Sequence, residues 1–289
     1  MNQKWLFEIT PKTKLIDLNL KEVWSYRDLL MLFVKRDVIT LYKQTILGPL
    51  WYVIQPLFTS LIFTLIFNSV AGISTGIIPP FLFNLAGVTT WNYFKECLTA
   101  TSDTFKKNEQ IFGKVYFPRI IMPMSIIVSN LLKFGIQLVI LIGFYIYYVA
   151  IGQNIEPNRF IVLFPMLIVL MGMIGLGLGM IISSLVTKYR DLTFLVTFGV
   201  QLLMYMSAVM YPINLMKEKL VSVEEGYDYS WLVDYNPLAH IIEMGRYMIL
   251  GQGTVTQFGV IYTVLITLVI LFLGIIIFNK TEKSFIDTI

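Results

Sequence analysis

Apolar residues run almost unbroken through six stretches of this chain, and polar residues gather in the segments between them. The stretches lie at roughly 49–70, 81–100, 124–149, 160–186, 192–210 and 257–278, each near the roughly twenty residues that carry a helix across a bilayer core. This pattern predicts an all-α integral membrane protein. It forms a single domain over residues 1–289, with a cytoplasmic segment 1–48, a six-span region 49–278 and a short tail 279–289.

Charge orients the spans. Of the 22 Lys and Arg, 16 fall in segments 1–48, 101–123, 187–191 and 279–289, which share one side if every stretch crosses, while Lys95 and Lys133 lie inside spans. The positive-inside rule then predicts that both termini are cytoplasmic. A composition of 56% hydrophobic and 14% charged residues leaves too little polar surface for a soluble globule. The net charge of +4 needs no nucleic acid, because the topology already accounts for the cations. The lone Cys97 excludes an intrachain disulfide and a Cys-rich metal site, and reads as core packing. No cleavable leader is expected, since the first long apolar run begins after some forty residues and is too long for a signal h-region.

Two cytoplasmic segments carry a helical period. Tyr26, Leu30, Phe33, Val34, Val38, Leu41 and Tyr42 recur at intervals of three and four, with Asp28, Lys35, Arg36 and Lys43 largely off that stripe. This predicts an amphipathic helix over 27–43, lying in the cytoplasmic interface until the chain turns at Gly48-Pro49. It is either a lipid anchor alone or also a contact for a cytoplasmic partner. In loop 101–117, Asp103, Lys106, Lys107, Glu109 and Lys114 alternate with Phe105, Ile111 and Phe112, and Pro118 and Pro123 follow. A second short amphipathic helix over 103–114 is predicted, in a loop longer than a reversal needs; a solvated charge run fits the same periodicity. On the outer side, residues 211–256 hold an acidic, Gly-interrupted stretch and then a half-apolar run containing Pro237. That run is too interrupted to span and reads as re-entrant or interfacial helices.

The chemistry is mostly exclusion. No GxxxxGK[ST] phosphate loop occurs, so the chain holds no ATPase of its own. Gly172, Gly175, Gly177 and Gly179 sit inside an apolar stretch, where close helix packing explains them better than a dinucleotide fingerprint. His240 with Glu243 one turn later reads as a polar contact, and no metal is assigned. Intramembrane acids of the kind that ion-coupled carriers use are missing from the middle of the spans. Lys133 could snorkel, pair or face a cavity. The spans do carry aromatic and amide residues: Trp51, Tyr52 and Gln55; Asn84, Trp91, Asn92 and Tyr93; Asn130 and Gln137; Gln201 and Tyr205. Such a lining suits an uncharged or glycan cargo, although aromatic belts and helix-gluing amides produce the same residues.

Several segments, in order, resemble one family, the membrane subunits of ABC-type exporters of bacterial surface polysaccharides. They are Arg36-Asp37, Tyr42-Lys43-Gln44-Thr45, Leu47-Gly48, Trp51 and Gln55-Pro56; Phe117-Pro118-Arg119 and Met122-Pro123; Tyr189-Arg190-Asp191; Tyr211-Pro212; and Asn236-Pro237 with Arg246 and Gly251. The long opening 7–23 resembles Gram-negative versions, which favours O-antigen over teichoic acid. The resemblance implies a homodimeric channel in the bacterial inner membrane, driven by two ATP-binding-cassette subunits that hold ATP and Mg, with a lipid-linked polysaccharide as cargo and no cofactor in this chain. It also implies roles. Asp103, Phe105, Lys106, Lys107, Glu109, Phe112, Lys114, Arg36 and Asp37 would couple to the ATPase. Trp51, Tyr52, Gln55, Trp91, Asn92, Tyr93, Gln201 and Tyr205 would line the channel, and Tyr211, Pro212, Asn236, Pro237 and Arg246 would form an outer gate. Export of teichoic acid, capsule, a drug or a small lipid is the alternative within the family. A lipid-linked-sugar transferase using Glu224, Glu225, Asp228 and Asp234, or an ATP-independent flippase, is the alternative outside it.

Overall fold

The computed structural model describes residues 20–43, 47–112, 114–115, 117–189, 191–222 and 227–286. Among these the fold is almost entirely helical. Gln44, Thr45, Arg190, Glu224, Glu225 and residues 7–19 of the opening lie outside the described residues. A short helix α1 (Leu20–Ser25) leads into α2 (Arg27–Tyr42). After Gly48, whose φ of 47° is a turn conformation that glycine adopts without strain, a 3₁₀ turn (Gly48–Leu50) with Pro49 in its first positions opens α3 (Trp51–Phe63). Pro56 removes one backbone donor inside α3, and Ser60 Oγ bonds the Pro56 carbonyl at 2.7 Å. The helix finishes in a widened π turn, Thr64–Val70. Helix α4 (Pro80–Ser102) returns, α5 (Thr104–Phe112) follows, and α6 (Ile121–Ala150), α7 (Phe164–Lys188), α8 (Leu192–Met206) and α12 (Gln257–Ile286) complete the long elements.

Among the described residues four segments are long and apolar enough to cross a membrane: Gly48–Val70, Ile121–Ala150, Arg159–Lys188 and Gln257–Glu282. The second and fifth predicted stretches differ from these for separate reasons. Helix α4 has the length, about 35 Å at 1.5 Å per residue, but it carries Asn84, Asn92, Lys95 and Glu96 and is buried over most of its surface. It is the central helix, packed against α3, α6, α7 and the later helix Pro237–Leu250, so protein rather than lipid receives its polar groups. Helix α8 stops at Met206, four residues short of the predicted end, because Ala208 takes a left-handed φ of 52° and breaks the ladder.

Glycine sets the closeness of the core. A Cβ on Gly172 would stand 2.8 Å from the Tyr93 hydroxyl, and one on Gly175 would stand 2.8 Å from Cys97 Cβ, so this face of α7 lies directly on α4. Gly177, on the opposite face, meets the Ile270 backbone of α12. Cys97 is fully buried in this seam, as core packing requires.

The segment after α8 folds into α9 (Ile213–Lys219), a hairpin of β1 (Val221–Ser222) and β2 (Tyr227–Asp228), then α10 (Trp231–Asp234) and α11 (Pro237–Leu250). Val221 pairs with Asp228 and Ser222 with Tyr227 in antiparallel register, a small departure from an all-α fold. Helix α11 packs into the bundle against α4, α7 and α12, with eleven of its fourteen residues buried. Gly251 ends it with φ 71°, the left-handed C-terminal cap that glycine supplies.

Candidate functional site

Three groups of the predicted residues can be placed. At the end of the bundle that carries α2, α5 begins one residue after Asp103 and is kinked at Asn108 (φ −116°, ψ 15°). Asp103 accepts from Lys107 Nζ at 2.9 Å one turn later. Lys106, Lys107, Glu109 and Lys114 are exposed. Phe105 and Phe112 point the other way, which corrects their assignment as partner-facing anchors. They sink into a cluster with Phe33 of α2, Phe117, Ile121 and Met122 at the start of α6, Met180 of α7 and Phe278 of α12. Phe105 stacks on Phe278 at 4.6 Å between ring centroids. The apolar half of the amphipathic pattern is therefore spent on the protein's own helices, and the charged half faces out.

The same cluster seats α2. Phe33 and Val34 are buried as the periodicity predicts, whereas Trp24, Met31, Leu32 and Ile39 remain exposed. Arg36 binds its neighbour Asp37 at 2.8 Å and lies over the Phe33 ring at 5.0 Å. Arg119, quoted above only within a motif, joins this end of the molecule. Its Nη1 donates to the Glu282 carbonyl at 3.1 Å, its Nε lies 3.9 Å from Glu282 Oε1, and its guanidinium covers the Phe112 ring. Burial lowers its pKa from the ordinary guanidinium value and Glu282 opposes that shift, and these contacts tie the last turns of α12 to the α5–α6 loop.

Helices α3, α4 and α6 enclose a polar pocket of about 20 Å³. Tyr52 and Gln55 come from α3, Asn92, Tyr93 and Glu96 from α4, and Asn130, Lys133, Phe134 and Gln137 from α6. The four predicted lining residues Tyr52, Gln55, Asn92 and Tyr93 thus meet. Lys133 resolves here as a cavity-facing cation, 3.6 Å from Glu96 Oε2 and over the Tyr52 ring at 5.4 Å. Asn130 donates to Cys97 Sγ at 3.9 Å. Trp91 does not line this pocket: one step round α4, it is fully buried in the core, 5.3 Å from Phe94, which corrects its place among the lining residues. Asn84 serves as glue, donating to Thr64 Oγ1 at 3.0 Å and Asn68 Oδ1 at 2.9 Å. Trp51 is exposed, and so are Gln201 and Tyr205, which share an open face of α8 with Phe194, Phe198 and Leu202.

The outer set converges on the end of α8. Asn236 caps α11 by accepting from Leu238 and Ala239 N–H, and its amide nitrogen donates to the Met206 carbonyl at 2.9 Å. The Tyr211 hydroxyl bonds the Tyr205 carbonyl. Arg246, fully buried, donates to the Ala208 carbonyl at 2.7 Å and to the Val209 carbonyl, lies 3.7 Å over the Phe83 ring and sits 3.5 Å from Glu243. A guanidinium thus occupies the carbonyl-rich terminus of an interrupted helix, where a cation is favoured. Gly87 makes the room, because a Cβ there would overlap both Arg246 and the Val209 carbonyl. Pro212 and Pro237 flank this group, at the start of α9 and as the first residue of α11. The spacing of the sequence does not reveal Gly87 or Phe83, although a lone Arg in the apolar half of α11 was a signal that something polar must face it.

Other polar candidates have structural uses. His240 Nε2 lies 2.9 Å from the Asp234 carbonyl, and Glu243 accepts from Thr254 N–H at 3.2 Å. Asp234 pairs with Lys217, and Asp228 accepts the Ser230 N–H, bonds that hold its carboxyl below the usual range. Among the described residues no three His, Cys, Asp or Glu side chains gather as a metal site.

Comparison with known sequences agrees with this architecture. The chain is 28% identical over 263 residues to the O-antigen export system permease protein RfbA of Klebsiella pneumoniae, covering 90% of this chain and 94% of that one. It is 27% identical to the protein of the same name from Myxococcus xanthus, over 69% of this chain and 74% of that one. It is 23% identical to the polysialic acid transport protein KpsM of Escherichia coli, over 88% and 93%. With a family profile that matches residues 28–250, from the start of α2 to the end of α11, the chain belongs to the ABC-2 type transporter family.

Proposed function

We propose that the chain is the channel-forming subunit of an ATP-driven exporter that moves a lipid-linked O-antigen or similar surface polysaccharide across the bacterial inner membrane. The observation that carries this reading is the coverage of the relatives: about nine-tenths of the chain aligns both with a permease named for O-antigen export and with a protein named for polysialic acid transport. The site chemistry supports it, since the spans enclose amide and aromatic groups around a single neutralised ion pair, a lining for hydroxyl-rich cargo rather than for an ion.

In this reading six helical passes place both termini inside. Helix α4 crosses despite its polarity because protein surrounds it, and α8 crosses with the help of the irregular turn that Arg246 holds. Gln201, Tyr205 and Trp51 are exposed at membrane depth, where an unpartnered amide is costly in lipid. A second copy facing α3 and α8 would enclose them in a shared pathway. Two separate subunits would bind ATP and Mg and push on the exposed charged face of α5 and on α2.

The partner is tested by purifying the tagged chain from its own cells in mild detergent: an ATP-hydrolysing subunit in equal amount is expected, and a homogeneous chain with no such subunit under conditions that preserve the dimer contradicts the assignment. The topology is tested by single cysteines with Cys97 first replaced by Ala. A cysteine at Ser74 is expected to react with an impermeant thiol reagent in intact cells, and one at Lys107 only after permeabilisation. Reversed accessibility would overturn the orientation.

A further inference from the structure

Helices α6 and α7 both lie along α4 and make far fewer contacts with each other than with it. Between them runs a groove of about 530 Å³. It extends from Met124 to Leu138 on α6 and from Leu176 back to Phe164 on α7, about 20 Å at 1.5 Å per residue. Among the described residues that line it, the Tyr93 hydroxyl is the one side-chain oxygen or nitrogen. Both helices are long and apolar enough to cross a membrane, and the chain belongs to a family of membrane transporters. Water finds no partners in such a recess, and leaving it empty forfeits contacts for every side chain around it. Something apolar therefore fills it. Spread over its length, the volume leaves a section well under about 10 Å across, too narrow for a helix that measures about 10–12 Å with its side chains. A hydrocarbon chain fits. Gly135, on the α6 wall, points the same way: a Cβ there would meet no described atom within 4 Å, whereas one on Gly172, Gly175, Gly177 or Gly179 would press on a neighbouring helix. Helix packing thus leaves Gly135 unexplained, although glycine weakens a helix interior, and a slim chain lying against bare backbone explains it.

We propose that this groove holds one acyl chain of a membrane phospholipid, wedged between α6 and α7 as a resident part of the packing. Leu131 and Val169 on its walls are exposed, so the groove is continuous with the lipid-facing surface. The Phe134 ring lines both this groove and the polar pocket and partitions them, and α6 stands between the groove and α3. A chain held here lies apart from the α3–α8 face assigned above to the pathway, which makes its owner a bilayer lipid and not the cargo. The inference needs the chain to lie in a bilayer and does not depend on a glycan, so failure of the export reading would leave it standing.

The test reconstitutes the purified complex into phosphatidylethanolamine vesicles doped with a phospholipid that carries a diazirine midway along one acyl chain, and maps the photo-label by residue. Like side chains are compared: Leu131 and Val169 line the groove, whereas Leu132 and Val139 are exposed on α6 outside it. Label on the groove pair should exceed label on the outer pair by about fivefold, the weight of a handful of added close carbon contacts. Gly135→Leu projects a side chain into the open space of the groove. It should bring the groove label down to the level of the outer pair while leaving the outer label unchanged. Should that variant not assemble, Val169→Phe fills the groove from α7, with Leu131 against Leu132 as the readout. Equal labelling of both pairs in the wild type would show fluid lipid with no resident chain and overturn the proposal. So would loss of the groove label on adding a polyprenyl phosphate where the same mole fraction of unlabelled phospholipid leaves it in place, because the occupant would then be a carrier tail.

Discussion

Replacement of Arg246 by Met should abolish accumulation of the assembled protein at growth temperature. The substitution is close in volume, so the loss is electrostatic rather than steric. It leaves the Ala208 and Val209 carbonyls without their donor and Glu243 without its cation, all in a fully buried site. Breaking one partner of such a buried charged network costs about 3–5 kcal/mol, a large part of any domain's stability. Arg246→Lys should recover only part of it, since an ammonium cannot span two carbonyls as the planar fork does. Gly87→Val should reproduce the Met phenotype by a different route, pushing the guanidinium off the Val209 carbonyl. The measurement is the yield of monodisperse protein and its thermal midpoint in detergent. Wild-type yield from both Arg246→Met and Gly87→Val would show that the α8 terminus does not depend on this contact.

The double variant Phe105→Ser, Phe112→Ser is expected to fail in folding, not in coupling. Each ring is buried against the molecule's own helices, and truncation of a buried Phe costs about 3–5 kcal/mol, with less than full additivity because the two rings touch at 5.9 Å. Charge reversal on the outward face, Lys106→Glu with Lys107→Glu, should change stability by only about 0.5 kcal/mol or less while lowering export and ATP turnover in the complex. Comparing yield, export and ATP hydrolysis for the two double variants separates the roles. A well-folded Phe double variant that hydrolyses ATP without exporting would return those rings to the partner interface.

That reversal shows what the sequence could and could not tell. The alternation of charge and aromatic residues in loop 101–117 gave the helix, but periodicity defines two faces without saying which of them is covered. Only the position of Phe33 and Phe278, far away in sequence, decides that the aromatic face of α5 turns inward. The long apolar runs were legible because lipid-facing helices must be apolar around most of their surface, and the glycines of α7 were legible because small residues in a span have few other uses. Helix α4 was harder: its polar residues dilute the hydropathy signal because protein covers them. Trp91 and Tyr93 show the limit at the pocket. They are two residues apart on one helix, and a difference of about 200° in direction at 100° per residue sends one into the core and the other to the pocket wall. The Lys133–Glu96 pair joins two helices through residues 37 apart in sequence, a contact that no local pattern encodes. The outer set was gathered by resemblance alone, and the physical reason for it, a broken α8 whose free carbonyls need donors, emerges only from the backbone at Ala208.

The most direct measurement of the export account is the location of glycan in a strain lacking this chain. Surface polysaccharide should disappear while lipid-linked glycan accumulates on the cytoplasmic side, and both changes should be reversed by the wild-type chain only when its ATP-hydrolysing partner is active. Unchanged surface glycan in the deletion strain, or restoration that persists with a catalytically dead partner, would contradict the account.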